Sequence, residues 1–376
     1  MVAFTIFAGG YDLFIAAYIF NTADSSLTLA AKYPSGVNCS WITGHPTDNA
    51  ILYATNEIDA GGALQSFDIS KGNVLSPAVD TVPSNGSDPA FCAALSTGEV
   101  AIMNYSSGNG RIIPTTSSPD QFDNDAPTIV FPPPPPDTPN PNKVSHPHMA
   151  VQHGKEIFVP DLGSDMIWRL SPDGKPGVYS ITGEIPQPLG SGPRHMRIST
   201  PDSRHRPADN RLYVLHELTS TLTVQAIPSF PNGTSTIIST ASIIPANPPP
   251  GAVWAAAEIL IPPPSARFPT QYIYVSNRNT GVQTPTGDSI AIFKNMEQGT
   301  PRERLQLVTQ VFTGLDQIRG MEFGAADDEY LIAGGVAGTA GVVVYRRADG
   351  GRALEEVVRN TDIPTRTSFV WKELQS

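Results

Sequence analysis

The stretch "HMAVQHGKEIFVPDLGSDMIWRL", residues 148–170, sets the reading of the whole chain. Short apolar runs ("HMAV", "EIFVP", "MIWRL") alternate with polar turns ("QHGK", "DLGSD"). Runs of this length, closed by Gly, Asp or Ser, read as antiparallel strands joined by tight turns. The same order recurs at 40–69, 90–113, 194–227, 256–293 and 320–347. One residue marks the second strand of each copy: Tyr53, Met103, Phe158, Tyr213, Tyr274 and Leu331, at spacings of 50, 55, 55, 61 and 57 residues. The N-terminal "FTIFAGGYDLFIAAYIF" fits as the second and third strands of one more copy, with Phe7 at the marker, 46 residues before Tyr53.

Seven units of about 50 residues, with four short strands each, predict an all-β seven-bladed β-propeller. A single unit cannot bury its own faces, whereas seven stacked around an axis bury all of them and keep their edges short. The first copy lacks its first strand, and the closing "TSFVWKEL" at 367–374 reads as a first strand without a successor. The C-terminal strand is therefore expected to join the N-terminal blade and close the ring, making residues 1–376 a single domain. The proline run 132–136 falls between the third and fourth units. Proline donates nothing to a strand ladder, so about 131–143 reads as a rigid surface loop of polyproline character.

Composition agrees with many short strands: only 16% of residues are charged, against 32 Gly and 37 Pro. A net charge of −11 argues against nucleic acid and acidic membranes as partners. No uninterrupted apolar run approaches the length of a transmembrane helix. The apolar N-terminus lacks a basic segment and is broken by Gly9, Gly10 and Asp12, so no signal peptide is read there and a cytoplasmic location is expected. Sequons at Asn38, Asn85, Asn104 and Asn232 leave secretion as the alternative. Cys39 and Cys92 cannot build a thiolate-rich metal site and read as small buried hydrophobes, with one disulfide as the alternative.

In a propeller the first strand of each blade lines the central channel, so repeat-equivalent positions converge. This gathers His146, His148, Arg194, His195, Glu217, Glu258, Arg278 and Arg319 at one channel mouth, with Asn56, Asn104, Tyr105 and Asp161 on its rim. Each has a structural explanation as well: a hydrogen-bonded strand histidine, an ion-paired Glu217, a turn capped by Arg278, a turn fixed by Asp161. Arginine without lysine is what planar recognition of an anion calls for. His146 and His148, two apart on a strand, could share a metal ion, but Pro147 and the lack of a close third ligand speak against it.

The segments "GPRHM" (192–196), "LYVLHELTSTLTV" (212–224), "AAEI" (256–259), "YVSNR" (274–278) and "DSIAIF" (288–293), together with "HPHM" and "VPDLGSD", resemble the seven-bladed propeller lactonase family. That family includes propeller-type 6-phosphogluconolactonases and 3-carboxy-cis,cis-muconate cyclases. The resemblance spans essentially the whole chain. It implies a central-channel site that needs no metal or cofactor, built from a histidine of "HPH", Arg194, His195, Glu217 and Arg278. The chain departs from the family at His216, where lactonases usually carry Asn, at the insertion "PPPSARFPTQ", at the proline-rich loop, and at "QHGK", a reduced turn.

The reaction so implied is hydrolysis of an anionic sugar-acid-type lactone. Arg194 and Arg278 bind the anion and polarise the ester carbonyl, and His146 or His148 activates water. Glu217 orients an Arg or His or is itself the base, while His195, Glu258, Arg319, Asn56 and Tyr105 line the substrate. No serine nucleophile elbow is present, so water attacks directly. The same residues would serve a muconate-type cyclase acting on a dicarboxylate, and a non-catalytic ligand-binding propeller is the remaining alternative.

Overall fold

The computed structural model describes residues 2–140, 142–199, 210–231, 233 and 235–374. The chain divides into two compact units, Met1–Gly190 with Thr367–Ser376, and Ser191–Arg366. Both are built from antiparallel sheets whose strands follow one another from the first edge to the last, as the repeat predicts.

The first unit holds four sheets. Blade 1 runs Ser368–Glu373, Ala3–Gly9, Phe14–Asn21 and Ser26–Pro34. Blade 2 runs Ile42–Gly44, Ile51–Asn56 and Ala63–Ser70, whose outer edge is shared by Val74–Leu75 and Asp80–Pro83. Blade 3 runs Pro89–Ala94, Glu99–Asn104, Asn109–Pro114 and Ile129–Val130; blade 4 runs Val151–His153, Glu156–Asp161, Met166–Pro172 and Tyr179–Pro186. The second unit holds three. Blade 5 is Pro193–Ser199, Arg211–His216, Thr221–Ala226 and Ile237–Ser242. Blade 6 is Trp254–Leu260, Ile273–Asn279, Ser289–Met296 and Arg304–Phe312. Blade 7 is Asp316–Gly324, Tyr330–Ala337, Val342–Ala348 and Ala353–Asn360.

The chain ends meet as expected. Ser368–Glu373 pairs antiparallel with Ala3–Gly9 in the register Phe4↔Glu373 to Gly9↔Ser368. Trp371 is set edge-on to Phe4 and Phe20, with ring centroids 5.7 and 6.0 Å away. All seven marker residues fall in second strands, and all are buried. Second strands have a partner strand on each side, and their side chains are buried as continuous apolar runs. Apolar clusters fill the space between consecutive blades within each unit: Phe7, Ile42 and Phe67; Ile112, Val159 and Trp168; Tyr213, Val275 and Phe293; Tyr274, Phe323 and Leu331.

One local reading changes. The first strand of blade 4, expected from His148, is confined to Val151–His153, with a lone bridge Pro147↔Asp161 upstream. Pro147 has no N–H to give, and the His146 N–H goes to the Asp161 side chain instead of a backbone carbonyl. The cysteines are both free and buried, and burial pushes the Cys39 thiol up to about 11. Of the sequons, Asn104 is buried against Ser84 O and Asn109 while Asn85 is exposed; Asn232 lies outside the described residues. Among the described residues no helix is long and apolar enough to cross a membrane.

Candidate active site

In the second unit, each first strand carries one residue more than its partner strand can match. The register slips between Pro193 and His195, between Ala256 and Ile259, and between Ile318 and Gly320. Such bulges re-aim a side chain out of the normal alternation. In blades 5 and 7 the extra residue is an arginine, Arg194 and Arg319.

Arg194 is buried, and its Nε lies 3.0 Å from Glu217 Oε2. Arg278 Nη2, from the second strand of blade 6, reaches the same oxygen at 2.8 Å and Ala256 O at 3.2 Å. Among the described residues the Arg278 Nε has no hydrogen-bond partner. Glu217 follows directly on the second strand of blade 5 and is fixed by backbone bonds to Gly192 O and from Ala256 N. Two guanidiniums on one carboxylate leave a net positive centre whose Glu217 and Arg278 side chains are 19% and 15% exposed. The buried pair Arg211–Glu303 differs. There both Glu303 oxygens are taken, one by Nε and one by Nη2, each at 2.8 Å, so no donor faces outward for a ligand.

Farther along the same strands lie Arg197, Glu258 and Glu322. Arg197 Nη2 is 3.6 Å from Glu258 Oε1, and His195 Nδ1 is 3.1 Å from Glu258 Oε2. Glu258 and Glu322 each accept from the backbone N–H of the next residue, at 2.9 and 3.0 Å. Burial pushes both carboxyls up to about 7, against the pull of Arg197. Burial, then Arg194, Arg197 and Arg278, hold His195 well below the usual imidazole value, so it is neutral. His195 and Glu258 are 0% and 1% exposed. Arg319 is buried, which lowers its guanidinium to about 10. His216, the departure from the family pattern, is buried with Nε2 3.0 Å from Thr223 Oγ1, and burial pushes it down to about 3.

In the first unit, His146 and His148 sit with Tyr105. The His146 ring stacks on Tyr105 at 4.4 Å and 15°, and His148 meets the same ring edge-on at 5.7 Å. His146 Nδ1 lies 2.7 Å from Tyr105 O. A carbonyl only accepts, so the Nδ1–H donates and Nε2 keeps its lone pair in the neutral ring. The opposite edge is closed by Gly163, where an added Cβ would come within 2.8 Å of His146 Cδ2. The open edge of this half-buried ring is therefore Cε1–Nε2, whereas His148 is buried.

Asn56 is elsewhere in the first unit, buried and bonded to Val37 O, Cys39 and Gln65. Asp161 accepts from Ser145, from the backbone of His146, Gly163 and Ser164, and from Trp168 Nε1. Arg197 and Glu322 were not among the expected residues. Aligning "PRHMRI" and "IRGMEF" column by column puts Arg197 and Glu322 in one column, with Glu258 of "AAAEIL" one column earlier. Among the described residues no three His, Cys, Asp or Glu side chains gather as a metal shell requires.

Comparison with known proteins gives the family. The description "Lactonase, 7-bladed beta-propeller" matches residues 5–371. A curated protein of Arthroderma benhamiae, "Probable 6-phosphogluconolactonase", is 30% identical over 180 residues, 47% of this chain and 41% of its own length. The periplasmic gluconolactonase of Pseudomonas aeruginosa superposes with a TM-score of 0.77 at 20% identity, covering 98% of this chain and 99% of that one. A Lactobacillus plantarum protein gives 0.79 at 20% identity, over 99% and 100%. With the family description matched from the first blade to the closing strand, the chain belongs to the seven-bladed β-propeller lactonases.

Proposed function

We propose that this protein hydrolyses the ester bond of a lactone that carries an anionic group, of the sugar-acid kind. The observation that carries the reading is the shared Glu217 oxygen, which holds two arginines as a positive centre within a chain of net charge −11. Arg278, whose side chain is 15% exposed, can offer guanidinium N–H groups to the substrate's carboxylate or phosphate or to the ester carbonyl oxygen. As water adds to the carbonyl, the negative charge growing on oxygen meets preorganised guanidinium donors. Glu217 Oε2 is in ion-pair contact with two guanidiniums, which suits it to holding the arginines rather than to receiving a proton.

In this reading His146 serves as the base. Its Nδ1–H is committed to Tyr105 O, and its free Nε2 lone pair can take a proton from water. After ring opening the proton returns to the departing alkoxide, so the reaction consumes one water and yields the hydroxy acid. His195 and Glu258, buried and bonded to each other, act by holding the Arg194 bulge rather than by touching substrate.

The test presents the purified chain with a phosphorylated gluconolactone, an unphosphorylated gluconolactone and 3-carboxy-cis,cis-muconate. Acid release from a lactone is the expected result. Loss of muconate absorbance with no lactone opening would replace hydrolysis by cyclisation, and inertness toward all three would favour a binding protein. Arg278→Ala and His146→Gln are each expected to cost about 100-fold in kcat/KM.

A further inference from the structure

We propose that Asn140 and Asp161 are positioning residues for the His146 imidazole, so that the proline-rich loop works as a brace for the catalytic base; this rests on the base reading of His146. The loop 131–143 is rigid by composition, with five consecutive prolines at 132–136, and its far end is tied down. Lys143 Nζ donates to Pro136 O at 3.0 Å and to Thr138 O at 2.7 Å. Pro134 and Thr138 are buried. From this platform Asn140 Nδ2 donates to Val144 O at 2.7 Å and to Gly163 O at 2.9 Å. Those two carbonyls belong to the segment leading into His146 and to the turn that closes the Cδ2 edge of its ring.

Asp161 binds the same two segments from the other side. Its Oδ1 accepts from His146 N at 2.7 Å, Gly163 N at 3.1 Å and Ser164 N at 3.2 Å. Its Oδ2 accepts from Ser145 Oγ and, at 2.8 Å, from Trp168 Nε1. Across 144–146 and 163–164 one side chain donates twice and the other accepts four times, with a fifth bond from Trp168. Neither touches the imidazole. Together they fix the backbone that sets the ring over Tyr105, with Nδ1 facing Tyr105 O and Nε2 facing outward. A base held this way needs no reorganisation before proton transfer, and a shift of about 1 Å can cost about 100-fold.

The experiment uses the full chain labelled with 15N-histidine, made as wild type, His146→Gln, Asn140→Ala, Asn140→Asp and Asp161→Asn. For Asn140→Ala and Asp161→Asn the expected result is kcat lowered by about tenfold or more with KM within about twofold. In the NMR spectrum the neutral His146 signal should move from the pure Nδ1–H tautomer toward a mixture. Asn140→Asp, which turns an oxygen toward two carbonyls, should be the most affected of the three. Should a variant fold poorly, the tautomer measured on its folded fraction still decides. If His146→Gln abolishes turnover while the Asn140 and Asp161 variants keep both kcat and the Nδ1–H tautomer, the positioning role is overturned and the base reading stands. If His146→Gln turns over normally, the base reading fails and the positioning role falls with it.

Discussion

The arginine cluster of blades 5 and 6 and the His146 turn before blade 4 are built on different principles. The arginines are aimed by strand bulges and held by carboxylates, charge against charge. The histidine is aimed by a turn whose backbone is clipped by an amide and a carboxylate, while its own ring makes only a carbonyl bond and an aromatic stack. The first arrangement suits a group that must present fixed positive charge. The second suits one that must exchange a proton, because no charged partner touches its ring. The two should therefore fail differently when disturbed.

The largest expected effect is on stability, and it separates the two units. Deleting 367–376 removes a strand from the first unit and none from the second, and takes Trp371 from between Phe4 and Phe20. Losing a paired strand with its half-buried tryptophan costs about 3 kcal/mol, which corresponds to a melting temperature lower by about 10 °C. An unchanged melting temperature by calorimetry would contradict the pairing of the chain ends. Next comes Glu217→Gln, which leaves two guanidiniums without their shared charge; kcat/KM should fall about 1000-fold. A loss below tenfold would detach the cluster from the chemistry. Arg278→Lys keeps the charge and discards the planar fork, and about a 100-fold loss is expected, whereas an equivalent activity would mean that charge alone suffices.

The smallest effect is a pH dependence. Burial raises the Glu258 and Glu322 carboxyls from 4.5 to about 7, with Arg197, Arg194, His195 and Asp328 as their charged or titratable neighbours. The folded protein then binds more protons than the unfolded chain between those values. The contribution of these two carboxyls to stability should fall as pH rises from about 4.5 to about 7 and level off above, while His195 and His216, lowered from 6.5, contribute the opposite slope. Glu322→Gln, neutral throughout, should flatten that fall in denaturant titrations at pH 5 and pH 8; an identical slope would show that Glu322 contributes nothing to it.

The fold was legible because its signal is local. Tyr53, Met103, Phe158, Tyr213, Tyr274, Leu331 and Phe7 were found by spacing alone, and each lies buried in a second strand. Arg194, Glu217 and Arg278 were legible from motif and repeat position, and they meet on one carboxylate oxygen. Bulges were not, because an extra residue exists only relative to a partner strand. The short first strand of blade 4 escaped for a related reason: Asp161 takes a backbone donor that the apolar pattern assigns to a ladder. The burial of His195 and Glu258 follows from their pairing across two blades, which no stretch of either strand announces. Asn140 sat inside a loop that read only as rigid, and its role emerged from the carbonyls it reaches.

The central claim is that paired arginines on Glu217 open an anionic lactone. It is tested most directly by following acid release from a phosphorylated gluconolactone with wild type and Arg278→Ala side by side, at a pH where spontaneous opening is slow. The expected result is saturable turnover by the wild type, reduced by about 100-fold or more in the variant. Equal rates for the two proteins, or wild-type release no faster than the spontaneous reaction, would contradict it.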